Sequence, residues 1–92
     1  MKYFAVFLPM LDEEKSKEYR PVHVEYLEQK RAEEKTFAFG RFADGTGGLI
    51  IYRADSFEEV EEMVKQDPFI KHGARRYQIH EWEMSTDAVL PY

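Results

Sequence analysis

His23 stands in "PVHVEYL" and Asp67 in "QDPF". A histidine and a carboxylate within hydrogen-bond reach form a proton-transfer pair. The carboxylate fixes the imidazole tautomer and raises its basicity, and the free nitrogen moves the proton. Each residue also has a plainer reading. A histidine near a helix start commonly packs, and an aspartate before a proline opens a turn or caps a helix. Asp67 must also stop a helix, because a residue preceding proline is pushed out of the α region. Arg41 could hold an anionic group of a ligand, and Tyr3 and Phe69 are the aromatic residues expected beside it. The remaining polar residues read as structure. His72 falls in a charged turn, and His80 sits on a strand opposite in parity to Ile79. Glu58, Glu59, Glu61 and Glu62 read as a solvated helix face, and Arg75 and Arg76 first as an exposed strand end, with an anion site as the alternative. The three histidines lack H-x-x-x-H spacing, so no metal site is expected. "DGTGG" joins two strands and does not precede a helix, so it is no phosphate loop. Proton transfer by a His–Asp pair needs no cofactor.

The elements that would carry these residues follow from pattern. Residues 2–9 alternate as a strand ended by Pro9. Residues 10–19 are polar and read as a long functional or mobile connection. Pro21 suits a first helical turn, and the spacing of Val24, Leu27 and Arg31 predicts a helix over about 20–34. Strands are predicted at 36–43 and 48–54 around the glycine-rich loop 44–48. Ser56 with Glu59 forms a capping box ahead of a helix to Gln66. "RRYQIHEWE", 75–83, is a fourth strand, and the tail from about 84 to 92 is expected to be extended or packed on a partner. The order βαββαβ is the ferredoxin-like α+β plan: a four-stranded antiparallel sheet with both helices on one face. Its connection order brings the start of the first helix and the end of the second to the same end of the sheet, and so His23 towards Asp67. A helix start carries partial positive charge, which disfavours imidazolium and favours a neutral His23.

An antiparallel sheet with one covered face needs only one apolar face, yet here both are apolar. Tyr3, Ala5 and Phe7 point away from Phe4, Val6 and Leu8, Phe37 and Phe39 away from Ala38 and Phe42, and Leu49 and Ile51 away from Ile50 and Tyr52. Such an uncovered aromatic face marks an interaction surface. The simplest cover is the same face of a second copy, giving a sheet-to-sheet homodimer of the dimeric α+β-barrel kind; the alternative is the tail folding back over it. The length of 92 residues predicts one domain, 1–92, short enough to gain from a partner subunit. Eighteen acidic against thirteen basic residues give a net charge of −5, which weighs against nucleic-acid and anionic-membrane binding. No apolar run approaches the roughly 18 residues of a membrane span. The start alternates like a strand and lacks a small-residue cleavage site, so it reads as structure and not as a signal peptide. The absence of cysteine fits a cytoplasmic setting.

Taken together, several segments resemble the YciI-like (YCII-related) family. The resemblance runs from "MKYFAVF" to "IHEW". It is carried by the histidine of "PVHVEYL", the glycine of "FAFGRF", the "DGTGG" hairpin, the "SFEEVEEMV" helix and, most specifically, "QDPF" followed by Gly73. It implies a ferredoxin-like fold, α+β-barrel dimers, and a cleft whose His and Asp map onto His23 and Asp67. The fold is shared with muconolactone isomerases and other proton-moving enzymes. The charged segment 10–19 and the "RRY" of the fourth strand depart from the pattern expected of many members.

Three functions are compatible with these residues. The first is a small enzyme, isomerase- or lyase-like, working by acid–base chemistry on a small cyclic or aromatic molecule. The second is a non-catalytic small-molecule-binding or interaction module using the same pocket. The third is an RNA-binding domain, since "KTFAFGRF" resembles the RNP1 pattern. It is opposed by the net charge and by the segment's place on the second strand rather than the third.

Overall fold

The computed structural model describes all 92 residues. In chain order they form β1 (Lys2–Pro9), α1 (Glu13–Ala32), β2 (Thr36–Arg41), β3 (Gly47–Ala54), α2 (Phe57–Gln66), the single-turn α3 (Pro68–Lys71) and β4 (Gln78–Glu81). The strands make one antiparallel sheet in the order β2-β3-β1-β4, the ferredoxin-like arrangement. Alternation along β1 sends Phe4, Val6 and Leu8 to the helix side, where they are essentially inaccessible. β3 adds Ile50, Tyr52 and Ala54 to the same layer, with Val6 opposite Ile50 and Phe4 opposite Tyr52. Leu27 of α1, Val60, Met63 and Val64 of α2, and Phe69 of α3 close over them.

The segment expected to be a loop at 10–19 is mostly helix. Asp12 caps α1 by accepting the Lys15 N–H at 3.0 Å. Glu13 and Glu14 then suit the positive end of the helix dipole, and Lys30 and Arg31 its negative end. Pro21 therefore lies inside the helix, where it has no N–H to offer the Lys17 carbonyl. His23 consequently sits mid-helix, beyond the reach of the partial positive charge at the helix start.

Three further differences matter. β2 ends at Arg41, and a register shift between Thr36 and Ala38 turns Phe37 to the open face, where it meets Tyr3 edge-on with centroids 6.1 Å apart. Phe39, opposite Ile50, faces the helices instead. β4 is shorter than 75–83, because Arg75 and Arg76 lie against the end of β1, with the Arg76 N–H on the Pro9 carbonyl at 3.1 Å. The capping box at α2 is also displaced. Ser56 accepts the Glu59 N–H, but the Glu59 carboxylate reaches the Asp55 N–H rather than that of Ser56. In the tail, residues 85–89 are exposed, while the Tyr92 hydroxyl donates to the Thr36 carbonyl and its ring lies under the Arg53 guanidinium.

Candidate active site

Pro68 forces Asp67 into an extended backbone (φ −62°, ψ 129°), which ends α2 and lets the aspartate side chain cap α3. Its Oδ1 accepts the Phe69 N–H at 2.9 Å. The same carboxylate meets His23 Nδ1, at 2.8 Å from Oδ1 and 3.0 Å from Oδ2. Asp67 is 1% exposed, so the contact sits in a low dielectric where it counts most. An ionised carboxylate only accepts, so Nδ1 carries the proton and donates, and Nε2 is the free nitrogen. The imidazole is held from a second direction by Phe69, whose ring stacks on it at 3.8 Å and 12°. Cap and partner are one residue doing two jobs.

Arg75 rests on the same ring, its guanidinium carbon 4.6 Å from the Phe69 centroid. It is 5% exposed and forms no ion pair. Nε donates to Ser16 Oγ at 3.0 Å and Nη1 to the Leu8 carbonyl at 3.3 Å. Burial, and then the neighbouring Arg20, hold its pKa below the ordinary arginine value. Burial, and then the Asp67 charge, push the Tyr26 and Tyr52 phenols up, so neither ionises near neutrality. The Tyr26 hydroxyl donates to the Met63 carbonyl at 2.6 Å; the Tyr52 hydroxyl is buried without a partner.

His23 and Arg75 open onto a cavity of about 180 Å³ between α1 and the β2–β3 end of the sheet. Leu8, Leu27, Phe39, Ile50 and Phe69 make its apolar wall, and Arg20 and Arg41 stand on its polar side. A cavity of roughly 150 Å³ takes a benzene ring, so this one admits a ring with a small substituent. No group of three or more His, Cys, Asp or Glu side chains comes together that could hold a metal.

Of the residues singled out from the sequence, His23, Asp67, Phe69 and Arg41 gather here. Phe69 is wall rather than open contact surface, since it is 2% exposed. Tyr3 does not join them. Its odd parity on β1 puts it on the opposite face of the sheet, against Phe37. His72 stacks on Tyr19 at 3.9 Å, and His80 pairs with Ala5 across the sheet, both away from the cavity. Arg20 and Arg75 were missed. Reading Asp12 as an N-cap would have shown Arg20, His23 and Leu27 on one helical face. Nothing local in "GARRYQ" signals that Arg75 is buried.

A ferredoxin-like α+β domain with a His–Asp pair beside a ring-sized cavity is thus the class in view. The chain belongs to the YCII-related domain family, whose profile matches residues 1–83. It is 35% identical over 82 residues to the uncharacterized protein YjpA of Bacillus subtilis (strain 168), covering 89% of this chain and 96% of that one. Its fold is similar to that of 5-chloro-2-hydroxyhydroquinone dehydrochlorinase (TftG) from Burkholderia phenoliruptrix AC1100, solved in complex with 2,5-dihydroxybenzoquinone. That match has a TM-score of 0.78 at 24% identity over 90% of this chain and 95% of the other.

Proposed function

We propose that the protein is a cofactor-free acid–base enzyme acting on a small cyclic or aromatic molecule, with isomerase- or lyase-like chemistry. The observation that carries this reading is the buried His23 Nδ1···Asp67 contact at the wall of a ring-sized cavity. With Nδ1–H engaged, Nε2 takes a proton from a carbon beside a carbonyl. The C–H bond breaks, its electron pair moves into the enolate, and Asp67 stabilises the imidazolium that forms. Return of the proton to a second carbon completes an isomerisation; expulsion of an anion from the neighbouring carbon completes an elimination. Arg41 lines the same cavity, which supports its role in holding an anionic group of the substrate. The similarity in fold to a dehydrochlorinase supports the reaction class.

The test is proton exchange. 2,5-Dihydroxybenzoquinone is incubated with protein in D2O, and loss of its ring C–H signal, which requires deuteration of the enolised ring carbon and then removal of its proton from beside the carbonyl, is followed by NMR. Exchange faster than in buffer with the wild type, and at the buffer rate with His23→Gln, is expected. Equal rates with both proteins would overturn the assignment of His23.

The open sheet face extends the same reading to a partner. Tyr3, Phe7, Phe37, Phe42 and Leu49 remain partly exposed on it, with two edge-on aromatic pairs at 6.1 and 5.6 Å. The partner proposed is a second copy, packed face to face. Light scattering is expected to give twice the chain mass, and Phe7→Asp to reduce it to one chain.

A further inference from the structure

Eighteen of the 92 residues are acidic and the net charge is −5, yet no acidic side chain lines the cavity. Three of the six arginines do, together with His23. The Asp67 charge is felt at Arg75, but the two form no salt bridge and the carboxylate is already committed to His23 and to the Phe69 N–H. Of these arginines, Arg75 is the informative one. A buried cation without a counter-ion is costly and is normally paired. Arg75 is 5% exposed, satisfies only Nε and Nη1 within the chain, and leaves Nη2 without a protein acceptor at the cavity. Arg20 adds like charge beside it, which an anion in the cavity would offset.

We infer that the cavity binds a small planar ligand through a carboxylate, with Arg75 as the buried donor, Arg20 and Arg41 closing around the same charge, and the ring lying in the apolar wall towards His23. Nη2, the guanidinium nitrogen left free, offers a charge-assisted N–H donor to one carboxylate oxygen, and Arg20 and Arg41 supply donors for the other. The volume of about 180 Å³ and the walls of Leu27, Phe39, Ile50 and Phe69 suit one ring. The inference deepens the substrate reading above and makes Arg75 a specificity-determining residue of that site.

The experiment compares binding of benzoate with that of benzamide, its neutral near-isostere, by NMR titration. The wild type is expected to bind benzoate at least about tenfold more tightly, the scale of one charge-assisted hydrogen bond in a buried site. Arg75→Gln should remove that preference while leaving benzamide affinity unchanged. Arg75 also ties α1 to the chain after α3 through Ser16, so this variant could fail to fold. Arg41→Gln, at the exposed edge, is therefore measured alongside and should lower benzoate affinity about threefold or more, because it removes a partly screened charge. Equal affinities for the two ligands in the wild type would overturn the inference, as would variants that weaken both ligands alike. The benzoate preference should persist in His23→Gln. Failure to find turnover thus leaves this inference standing, and failure of the benzoate preference leaves the His23–Asp67 pair standing.

Discussion

The two long helices cover the same face of the sheet but are held to it differently. α2 has ten residues and buries Val60, Met63 and Val64; none of its side chains lines the cavity. α1 has twenty residues and buries only Ser16 and Leu27, yet it supplies Arg20, His23 and Val24 to the cavity. What fastens α1 is a row of polar links: Ser16 to Arg75, His23 to Asp67, Tyr26 to the Met63 carbonyl, and the Leu27 carbonyl to Thr36. A helix pressed down by apolar side chains would fill the space beneath it. α1, fastened largely by polar links, leaves room for the cavity that its own side chains line. On this account α2 stabilises the fold, and α1 gives up packing to make a site.

The strongest way to break the contrast is Phe69→Ala, because that ring serves both regions. It is in the core and also carries His23 and Arg75. Its loss is expected to cost about 3–5 kcal/mol in denaturant unfolding and to abolish ligand binding. Val60→Ala sharpens the contrast from the α2 side. It should cost about 2 kcal/mol while leaving benzoate affinity unchanged, since Val60 is fully buried away from the cavity.

Tyr26→Phe tests one polar link of α1. Losing the bond to the Met63 carbonyl should cost about 1 kcal/mol at neutral pH. The pH dependence has a definite sign. Folding raises the Tyr26 pKa above its ordinary 10.0. Its contribution is therefore full below pH 10 and is lost as pH rises from there towards the folded-state value. Stability measured across that alkaline range should fall less steeply in Tyr26→Phe than in the wild type. The smallest effect is expected at Glu59, whose carboxylate meets Lys35 at 2.9 Å and is a third exposed. Its pKa is lowered, first by the Lys35 hydrogen bond, so its stabilisation is present above pH 4.5 and lost on acidification. Glu59→Gln should cost only about 0.5 kcal/mol at neutral pH, the scale of a screened surface pair, and the cost should vanish in acid.

Much of this division could be read in the chain, and the failures are physical. The sharp apolar stripe of α2, the glycine-rich hairpin and the alternating strands revealed their elements and the ferredoxin-like order. That order with a helix starting at about 20 predicts His23 beside Asp67; the two do meet, but from the middle of a helix that starts at Glu13, a position the order alone does not give. Pro21 suggested a helix start, while the capping Asp12 and its two following glutamates were the better signal. The first half of α1 was hard to see because residues 13–19 have no apolar stripe to show, whereas Val24 and Leu27 betrayed the second half. A stretch held by side-chain hydrogen bonds to distant segments leaves little periodic trace. The same reason hid Arg75: its partners, Ser16 and the Leu8 carbonyl, are separated from it by most of the chain. The Thr36–Ala38 irregularity reversed the facing of Phe37 by inserting one residue, and strict alternation has no way to register that.

The account turns on which nitrogen of His23 holds the proton. ¹⁵N NMR of uniformly labelled protein, with His23→Gln used to assign the signals, reads the tautomer of the neutral imidazole directly. The Asp67 contact predicts a protonated Nδ1 and a free Nε2. A protonated Nε2 with a bare Nδ1 would contradict the pair and remove His23 as the base.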